Sequence, residues 1–230
     1  MKKLFLLVVL LISMGTGIWA QFPKAIFPGD YPDPSILRDG KDYYMTHSPF
    51  CYAPGLLIWH STDLLHWEPV CRALSEYEAS IWAPDLLKYQ NRYYIYYPTS
   101  TGENYVIYAD NILGPWSKPV KLDVKGIDPG HVVGEDGKRY LFTNNGWITP
   151  LSDDGLKVTG KSRKVYDGWE YPANWVTEGK DMYLESPKLL YKDGYYYMMS
   201  AEGGTAGPAT SHMCVVARSK SVFGPWENSP

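Results

Sequence analysis

The stretch Asp39-Gly-Lys-Asp-Tyr-Tyr-Met45 joins a tight-turn sequence to an aromatic strand sequence, and variants of it recur along the chain. The other copies are Gln90-Asn-Arg-Tyr-Tyr-Ile-Tyr96, Asp136-Gly-Lys-Arg-Tyr-Leu-Phe142 and Asp193-Gly-Tyr-Tyr-Tyr-Met-Met199. An Asp-Gly pair between alternating apolar residues is the strongest short-range signal for a β-hairpin. The sequence therefore predicts four β-hairpins, with turns at residues 40, 91, 137 and 194.

The spacing of these hairpins points to a repeat architecture. Their turns are 51, 46 and 57 residues apart, an interval typical of β-propeller blades. No segment after residue 20 shows a convincing 3.6-residue apolar period, so almost no helix is predicted. A β-sandwich also uses short strands, but it does not explain such regular self-similarity. The predicted fold class is all-β, a β-propeller with four blade-like repeats visible in this chain.

Composition excludes several classes of protein. Of the 230 residues, 45% are hydrophobic and 20% are charged, so the chain is globular rather than disordered. The net charge of -3 leaves no excess of basic side chains to neutralise a phosphate backbone, which argues against nucleic acid as a partner. The 20 Tyr and 9 Trp residues favour strands and surfaces that stack on sugars.

The first twenty residues have the features of a secretory signal peptide. Two lysines precede an apolar stretch from Leu4 to Ile12, and small residues follow before Gln21. No later segment approaches the ~20 apolar residues that a membrane helix requires. We therefore expect residues 1–20 to be removed, residues 21–230 to form one domain, and the protein to be exported without a membrane anchor.

The cysteines predict no disulfide framework. Their count is three, so at least one thiol is free even in an oxidising compartment. Pairing of Cys51 with Cys71 is left open by the sequence. Cys214 lies in the apolar run 213–217, which predicts a buried small hydrophobe. No clustered Cys or His spacing indicates zinc.

Each repeat unit opens with a carboxylate beside a proline or one residue away from it, six to nine residues before the hairpin turn: Asp33, Asp85, Asp128 and Glu185. In a propeller the first strand of every blade lines the central channel, so these acids are expected to converge on one pocket. Asp-Pro is also common turn chemistry, and any one of these acids alone has a structural interpretation. Four in register favour function, because gathered like charges repel at a cost that a purely structural role does not explain.

The same residues carry a resemblance to a known family. The segments Gly29-Asp-Tyr-Pro-Asp-Pro-Ser35, Trp82-Ala-Pro-Asp85, Gly126-Ile-Asp-Pro-Gly130 and Glu185-Ser-Pro187 resemble, in this order, the acidic motifs of glycoside hydrolase family 43. The resemblance covers nearly all of residues 26–230. It implies a five-bladed β-propeller that hydrolyses arabinosides and xylosides with inversion of the anomeric centre.

The resemblance also implies a role for each acid. By position, Asp33 corresponds to the general base, Glu185 to the general acid, and Asp128 to the acid that orients and tunes the proton donor. Inverting hydrolysis places the base and a protonated acid about 6.5 to 9.5 Å apart. An anionic Asp128 is expected to help the donor keep its proton through like-charge repulsion.

Substrate-binding residues are predicted beside the acids. Trp82 is expected to stack on a sugar, with an inter-blade core position as the alternative. Asp85 is a neighbour without a catalytic assignment, and His212 is predicted near the sugar, although a lone His is often structural. His131 is a weaker candidate. No cofactor and no catalytic metal are predicted, and a structural calcium ion is left open.

The predicted function is an inverting glycosidase that releases xylosyl or arabinofuranosyl residues from plant cell-wall polysaccharides or oligosaccharides. The alternatives are a retaining five-bladed fructosidase-type enzyme, whose two carboxyls lie about 5 to 5.5 Å apart, and a non-catalytic sugar-binding propeller. Since four units are visible where the resemblance implies five, the catalytic domain is expected to be incomplete at its C-terminus. The sequence leaves the sugar, the linkage and the oligomeric state open.

Overall fold

The computed structural model of the chain describes residues 25–77, 79–170, 183–203 and 213–229. The predicted signal peptide, residues 1–20, and His212 lie outside these ranges. Within them, none of the helical structure has the length and apolar character needed to span a bilayer.

The described residues fold into sixteen strands, arranged as four antiparallel sheets of four strands each. Blade 1 contains β1 (Ser35–Asp39), β2 (Asp42–Thr46), β3 (Leu57–Ser61) and β4 (Glu68–Arg72). Blade 2 contains β5 (Asp85–Tyr89), β6 (Arg92–Pro98), β7 (Asn104–Ala109) and β8 (Val120–Leu122). Blade 3 contains β9 (Gly130–Val133), β10 (Arg139–Thr143), β11 (Trp147–Pro150) and β12 (Arg163–Lys164), with a short 3-10 helix at Asn144–Gly146. Blade 4 contains β13 (Tyr183–Lys192), β14 (Tyr195–Gly203), β15 (Met213–Ser219) and β16 (Glu227–Asn228).

The sheets stand in a propeller arrangement, and the predicted fold class is confirmed. Each sheet is a simple meander in chain order. The leading strands β1, β5, β9 and β13 contact one another in sequence, so they are the inner strands. All four predicted hairpins join the first strand of a blade to the second, and in blades 1, 2 and 4 only two residues separate the paired strand ends. The inner strands therefore begin at the same end of the channel.

The cores lie between neighbouring blades, and strand periodicity explains them. Residues on β6 alternate between two interfaces, because side chains along a strand point to opposite faces. Ile95 packs with Ile58 of blade 1, whereas Tyr96 packs with Leu141 of blade 3. Since both faces of β6 are covered, six of its seven residues are buried. Phe142, Ile148 and Met198 fill the third interface, between blades 3 and 4.

The other face of blade 4 is exposed, and this overturns one prediction. The prediction that Cys214 is buried is wrong, because Cys214 lies on the face of β15 opposite the core residue Ala217. Leu190 and Met199 on the same blade are 60% and 51% exposed. Cys51 and Cys71 are both free thiols, so they do not pair.

Blades 3 and 4 approach very closely at the axis. A Cβ atom built on Gly130 would lie 1.8 Å from the carbonyl oxygen of Pro187, which is far inside van der Waals contact. Gly130 begins β9, two residues after Asp128, and Pro187 lies two residues after Glu185. The absence of a side chain at Gly130 therefore lets two predicted catalytic segments meet.

Replacing Gly130 by Ala should destabilise the fold by at least about 1 to 3 kcal/mol, because the new methyl group meets backbone that cannot rotate away. Gly55→Ala is the matched control, since its Cβ would lie in ordinary contact, 3.5 Å from Ile81. Urea unfolding of both variants measures the difference. Equal midpoints for the two variants would show that the contact between blades 3 and 4 relaxes without cost.

Candidate active site

Asp33 lies two residues before β1, at the end of the channel where the inner strands begin. Its side chain is exposed, and its Oδ2 accepts a 2.5 Å hydrogen bond from the hydroxyl of Ser48. Ser48 is buried, and its backbone N–H donates to the carbonyl of Pro32 over 3.0 Å. Two bonds from one residue therefore fix both the backbone and the carboxylate of Asp33, while water still reaches that carboxylate.

Asp128 lies two residues before β9 and is only 8% exposed. Its Oδ2 accepts a hydrogen bond from the hydroxyl of Ser186 at 3.2 Å. Burial, together with the negative charges of Glu185 and Asp33, raises the pKa of Asp128 to about 6, while the Ser186 hydrogen bond and the charge of Lys188 oppose that rise. Because the charges of Glu185 and Asp33 both act on Asp128, the structure brings carboxylates of blades 1 and 4 near the carboxylate of blade 3.

Glu185 lies near the start of β13 and is half-buried. It pairs with Ala201 of β14, and the register shifts between Glu185 and Lys188 in a β-bulge. Bulges re-aim side chains and are common beside active sites. Here the bulge contains Ser186, whose hydroxyl reaches Asp128.

One backbone feature repeats at the acids in three blades. Asp33, Asp128 and Ser186 each lie directly before a proline and have φ values of 52°, 58° and 49°. Residues other than glycine rarely adopt this left-handed conformation, which costs about 1 to 3 kcal/mol where it occurs. Such strain persists only where surrounding contacts impose it, and it clusters at functional sites. Its repetition at three equivalent positions supports a functional interpretation of the pocket.

Asp85, the acid of blade 2, has a different environment. It is buried, and its Oδ1 forms a 2.8 Å ion pair with the ammonium of Lys188. Its Oδ2 accepts a hydrogen bond from the backbone N–H of His131 at 2.8 Å. Both oxygens are therefore engaged by blades 3 and 4. A direct contact of Asp85 with substrate remains a prediction.

The predicted aromatic and histidine candidates separate in the structure. Trp82 is half-buried three residues before β5, and its backbone N–H bonds to Pro98. His131 Nε2 accepts a 2.9 Å hydrogen bond from Arg139, and burial together with that guanidinium lowers the pKa of His131 to about 3. His131 is thus a neutral structural residue. His212 lies outside the described residues.

Sequence reasoning missed the residues that hold the acids. Ser48 and Lys188 belong to no repeated motif, and their partners are 15 and 103 residues away along the chain. Phe50, two residues after Ser48, is 38% exposed and pairs through its backbone with Ile81, next to Trp82. Ser186 could have been predicted from the sequence, since it directly follows Glu185 in the segment Glu185-Ser-Pro187.

The carboxylates of the pocket differ in their exposure to solvent. Asp33 is exposed, Glu185 is half-buried and Asp128 is buried. In the described ranges, no group of three or more His, Cys, Asp or Glu side chains is arranged to hold a metal ion. An accessible carboxylate beside a buried one with a raised pKa is suited to general acid–base chemistry.

Comparison with known proteins identifies the family of this propeller. The family model for glycosyl hydrolases family 43 matches residues 22–230. The chain belongs to that family, and the resemblance predicted from the acidic motifs is confirmed.

Individual relatives agree with this assignment. The chain is 34% identical to a xylosidase/arabinosidase 43B from Humicola insolens, over 91% of this chain and 42% of the relative. It is 33% identical to a non-reducing end alpha-L-arabinofuranosidase from Bacteroides ovatus, over 98% of this chain and 44% of the relative. The solved structure of the family 43 protein BlXynB from Bacillus licheniformis superposes with a TM-score of 0.77 at 34% identity, covering 90% of this chain and 43% of that one. The chain thus spans about two fifths of the length of these relatives.

The raised pKa of Asp128 predicts how stability depends on pH. Below its ordinary value of 3.8 the side chain is protonated whether the protein is folded or not, and no penalty exists. As the pH rises from 3.8 to about 6, the unfolded chain loses this proton while the folded protein keeps it, so stability falls over this range and the full penalty applies above about pH 6. The interval between 3.8 and about 6 is about 2 pKa units, worth about 3 kcal/mol.

Asp128→Asn should therefore stabilise the protein by up to about 3 kcal/mol at pH 7.5, and the gain should vanish near pH 4. Asp123→Asn, at an exposed position on the segment leading to blade 3, is the control and should show no such pH-dependent gain. Chemical denaturation at several pH values measures both. A loss of stability in Asp128→Asn at pH 7.5 would contradict the unfavourable burial of this carboxylate.

Proposed function

We propose that this protein is an inverting glycoside hydrolase that releases xylosyl or arabinofuranosyl residues from plant cell-wall polysaccharides or oligosaccharides. The observation that carries the proposal is the meeting of the Asp33, Asp128 and Glu185 carboxylates at one end of the channel. The printed names of the relatives, which include xylosidases and arabinofuranosidases, support these two sugars.

The exposure of the acids supports a division of roles. Asp33 is exposed and held by Ser48, so it is placed to activate a water molecule as general base. Glu185 is the proton donor to the leaving oxygen. Asp128 is buried and interacts electrostatically with both Asp33 and Glu185. It acts on the proton donor through its charge and through its hydrogen bond with Ser186, and it does not transfer a proton itself.

Recognition of the sugar is assigned to residues around the same end of the channel. Trp82 and Phe50 lie on backbone segments joined through Ile81, and their rings are available to stack on an apolar sugar face. His212 is proposed as a further sugar contact. Asp85 stabilises the site through its ion pair with Lys188 and its hydrogen bond from the backbone N–H of His131. Export by the signal peptide would bring the enzyme to polymeric substrates, and a structural calcium ion remains a prediction.

The roles of the acids can be separated by the leaving group. Glu185→Ala should reduce kcat/KM on unsubstituted aryl xylosides and arabinofuranosides by about 10²- to 10⁴-fold, but much less on dinitrophenyl glycosides, which need no protonation. Asp33→Ala should abolish turnover of both substrate classes, because water must be activated in each case. Steady-state kinetics on the two classes measures this.

Two outcomes would contradict the assignment. Equal losses on good and poor leaving groups for Glu185→Ala would remove it from the role of acid. Binding of xylo- or arabino-oligosaccharides without hydrolysis by the unaltered chain would instead favour a non-catalytic sugar-binding propeller.

A further inference from the structure

Lys188 contacts the acidic pocket through Asp85 and through Pro129, the residue that follows Asp128. It lies on β13 at the end of the bulge that begins with Glu185. Its side chain is 36% exposed, and its ammonium extends across the axis to the neighbouring blades. It reaches residues that are 59 and 103 positions away in the chain.

The ammonium of Lys188 has a full set of acceptors. It donates to Asp85 Oδ1 at 2.8 Å, to the carbonyl of Pro129 at 3.0 Å and to the carbonyl of Pro84 at 3.4 Å. Three donors with three acceptors satisfy the group completely. The acceptors belong to the starts of the inner strands of blades 2 and 3, so one side chain fastens three blades together.

The position of each acceptor relates Lys188 to the acids. Pro129 directly follows Asp128, so the bond to its carbonyl holds the strained backbone of Asp128. Ser186, two residues before Lys188, donates to the Asp128 side chain. Two residues of the same bulge therefore hold Asp128. Lys188 fixes its backbone, and Ser186 fixes its carboxylate.

The charges around Asp128 come from every blade of the pocket. Glu185 from blade 4 and Asp33 from blade 1 are negative and disfavour its ionised form, whereas Lys188 is positive and favours it. Asp85 from blade 2 partly neutralises Lys188 through the ion pair. Removing the ammonium would leave the acids without the cation that offsets them.

We propose that Lys188 is a positioning residue of the acidic pocket: its ammonium ties the inner strands of blades 2, 3 and 4 together and holds Asp128 beside Glu185 as an anion. This inference rests on the proposed hydrolase function for its catalytic meaning. Its structural and electrostatic content is independent of that function, and so is its principal test.

The test is the ionisation of Asp128, measured by carbon NMR of the full chain labelled at the aspartate carboxyl carbons. The signal of Asp128 is identified by its loss in Asp128→Asn. In the unaltered protein it should titrate near pH 6. In Lys188→Met its midpoint should move upward by about half a pH unit or more, because the offsetting charge is gone.

The chain supplies a matched control in Lys88. Lys88 is also on an inner strand and also forms an interblade ion pair, to Asp39 at 2.7 Å, but at the opposite end of β5. Lys88→Met should leave the Asp128 midpoint unchanged. An unchanged midpoint in Lys188→Met, or an equal shift in Lys88→Met, would overturn the proposal.

Two further variants cover a failure of Lys188→Met to fold. Lys188→Arg keeps the positive charge and should restore the Asp128 midpoint to within about 0.3 pH units of the unaltered protein. Lys188→Gln keeps hydrogen-bond donors but not the charge, and should show the upward shift. Equal midpoints for Arg and Gln would contradict the role of the charge.

Kinetics separates this inference from the proposed function. If the protein hydrolyses aryl glycosides, Lys188→Met should lower kcat with little change in KM, and the acidic limb of the rate profile should move upward with the Asp128 midpoint. If the unaltered protein proves inactive, the proposed function fails, yet the NMR comparison of Lys188→Met with Lys88→Met still decides whether Lys188 controls Asp128.

Discussion

The buried carboxylate of Asp85 is the contact on which the geometry of the site depends. It accepts one hydrogen bond from the ammonium of Lys188 in blade 4 and another from the backbone N–H of His131 in blade 3. A buried charge of this kind is costly to leave unpaired, so the three inner strands can shift relative to one another only at a large penalty. The acids that lie at the starts of these strands are therefore held in fixed positions relative to one another. Their convergence follows from blade packing rather than from a local sequence motif.

Several features of the pocket are unfavourable for the stability of the fold. The charges of Asp33 and Glu185 act unfavourably on Asp128, two aspartates and one serine have strained backbones, and Asp128 is buried in spite of its charge. The interblade cores, such as the cluster around Ile58 and Ile95, contribute the stability that tolerates this arrangement. Active sites commonly combine local strain with stable surroundings, because catalytic groups must be held in states that an unconstrained chain would avoid.

Much of the fold could be predicted from the sequence because propeller blades repeat. The turns at Gly40 and Gly194 and the acids at or near the start of each inner strand recur in every unit, so their convergence follows from the architecture alone. Ser48 and Lys188 could not be found in this way, because they act through side chains that cross between distant segments. Cys214 was misjudged because an apolar run predicts burial only where another layer covers it, and its face of blade 4 is exposed. Burial and the charges of Glu185 and Asp33 raise the pKa of Asp128, and the expected effect of Asp128 on the proton donor stays a prediction.

In the proposed mechanism, carboxylates from separate blades act on opposite faces of the sugar and water attacks the anomeric carbon directly. Direct attack by water inverts the anomeric centre, whereas a carboxylate nucleophile retains it. Proton NMR of the first product formed from an aryl β-xyloside tests this before mutarotation obscures the result. The account predicts α-xylose as the initial product. Initial release of β-xylose would contradict it and would assign the pocket to a retaining, fructosidase-like mechanism.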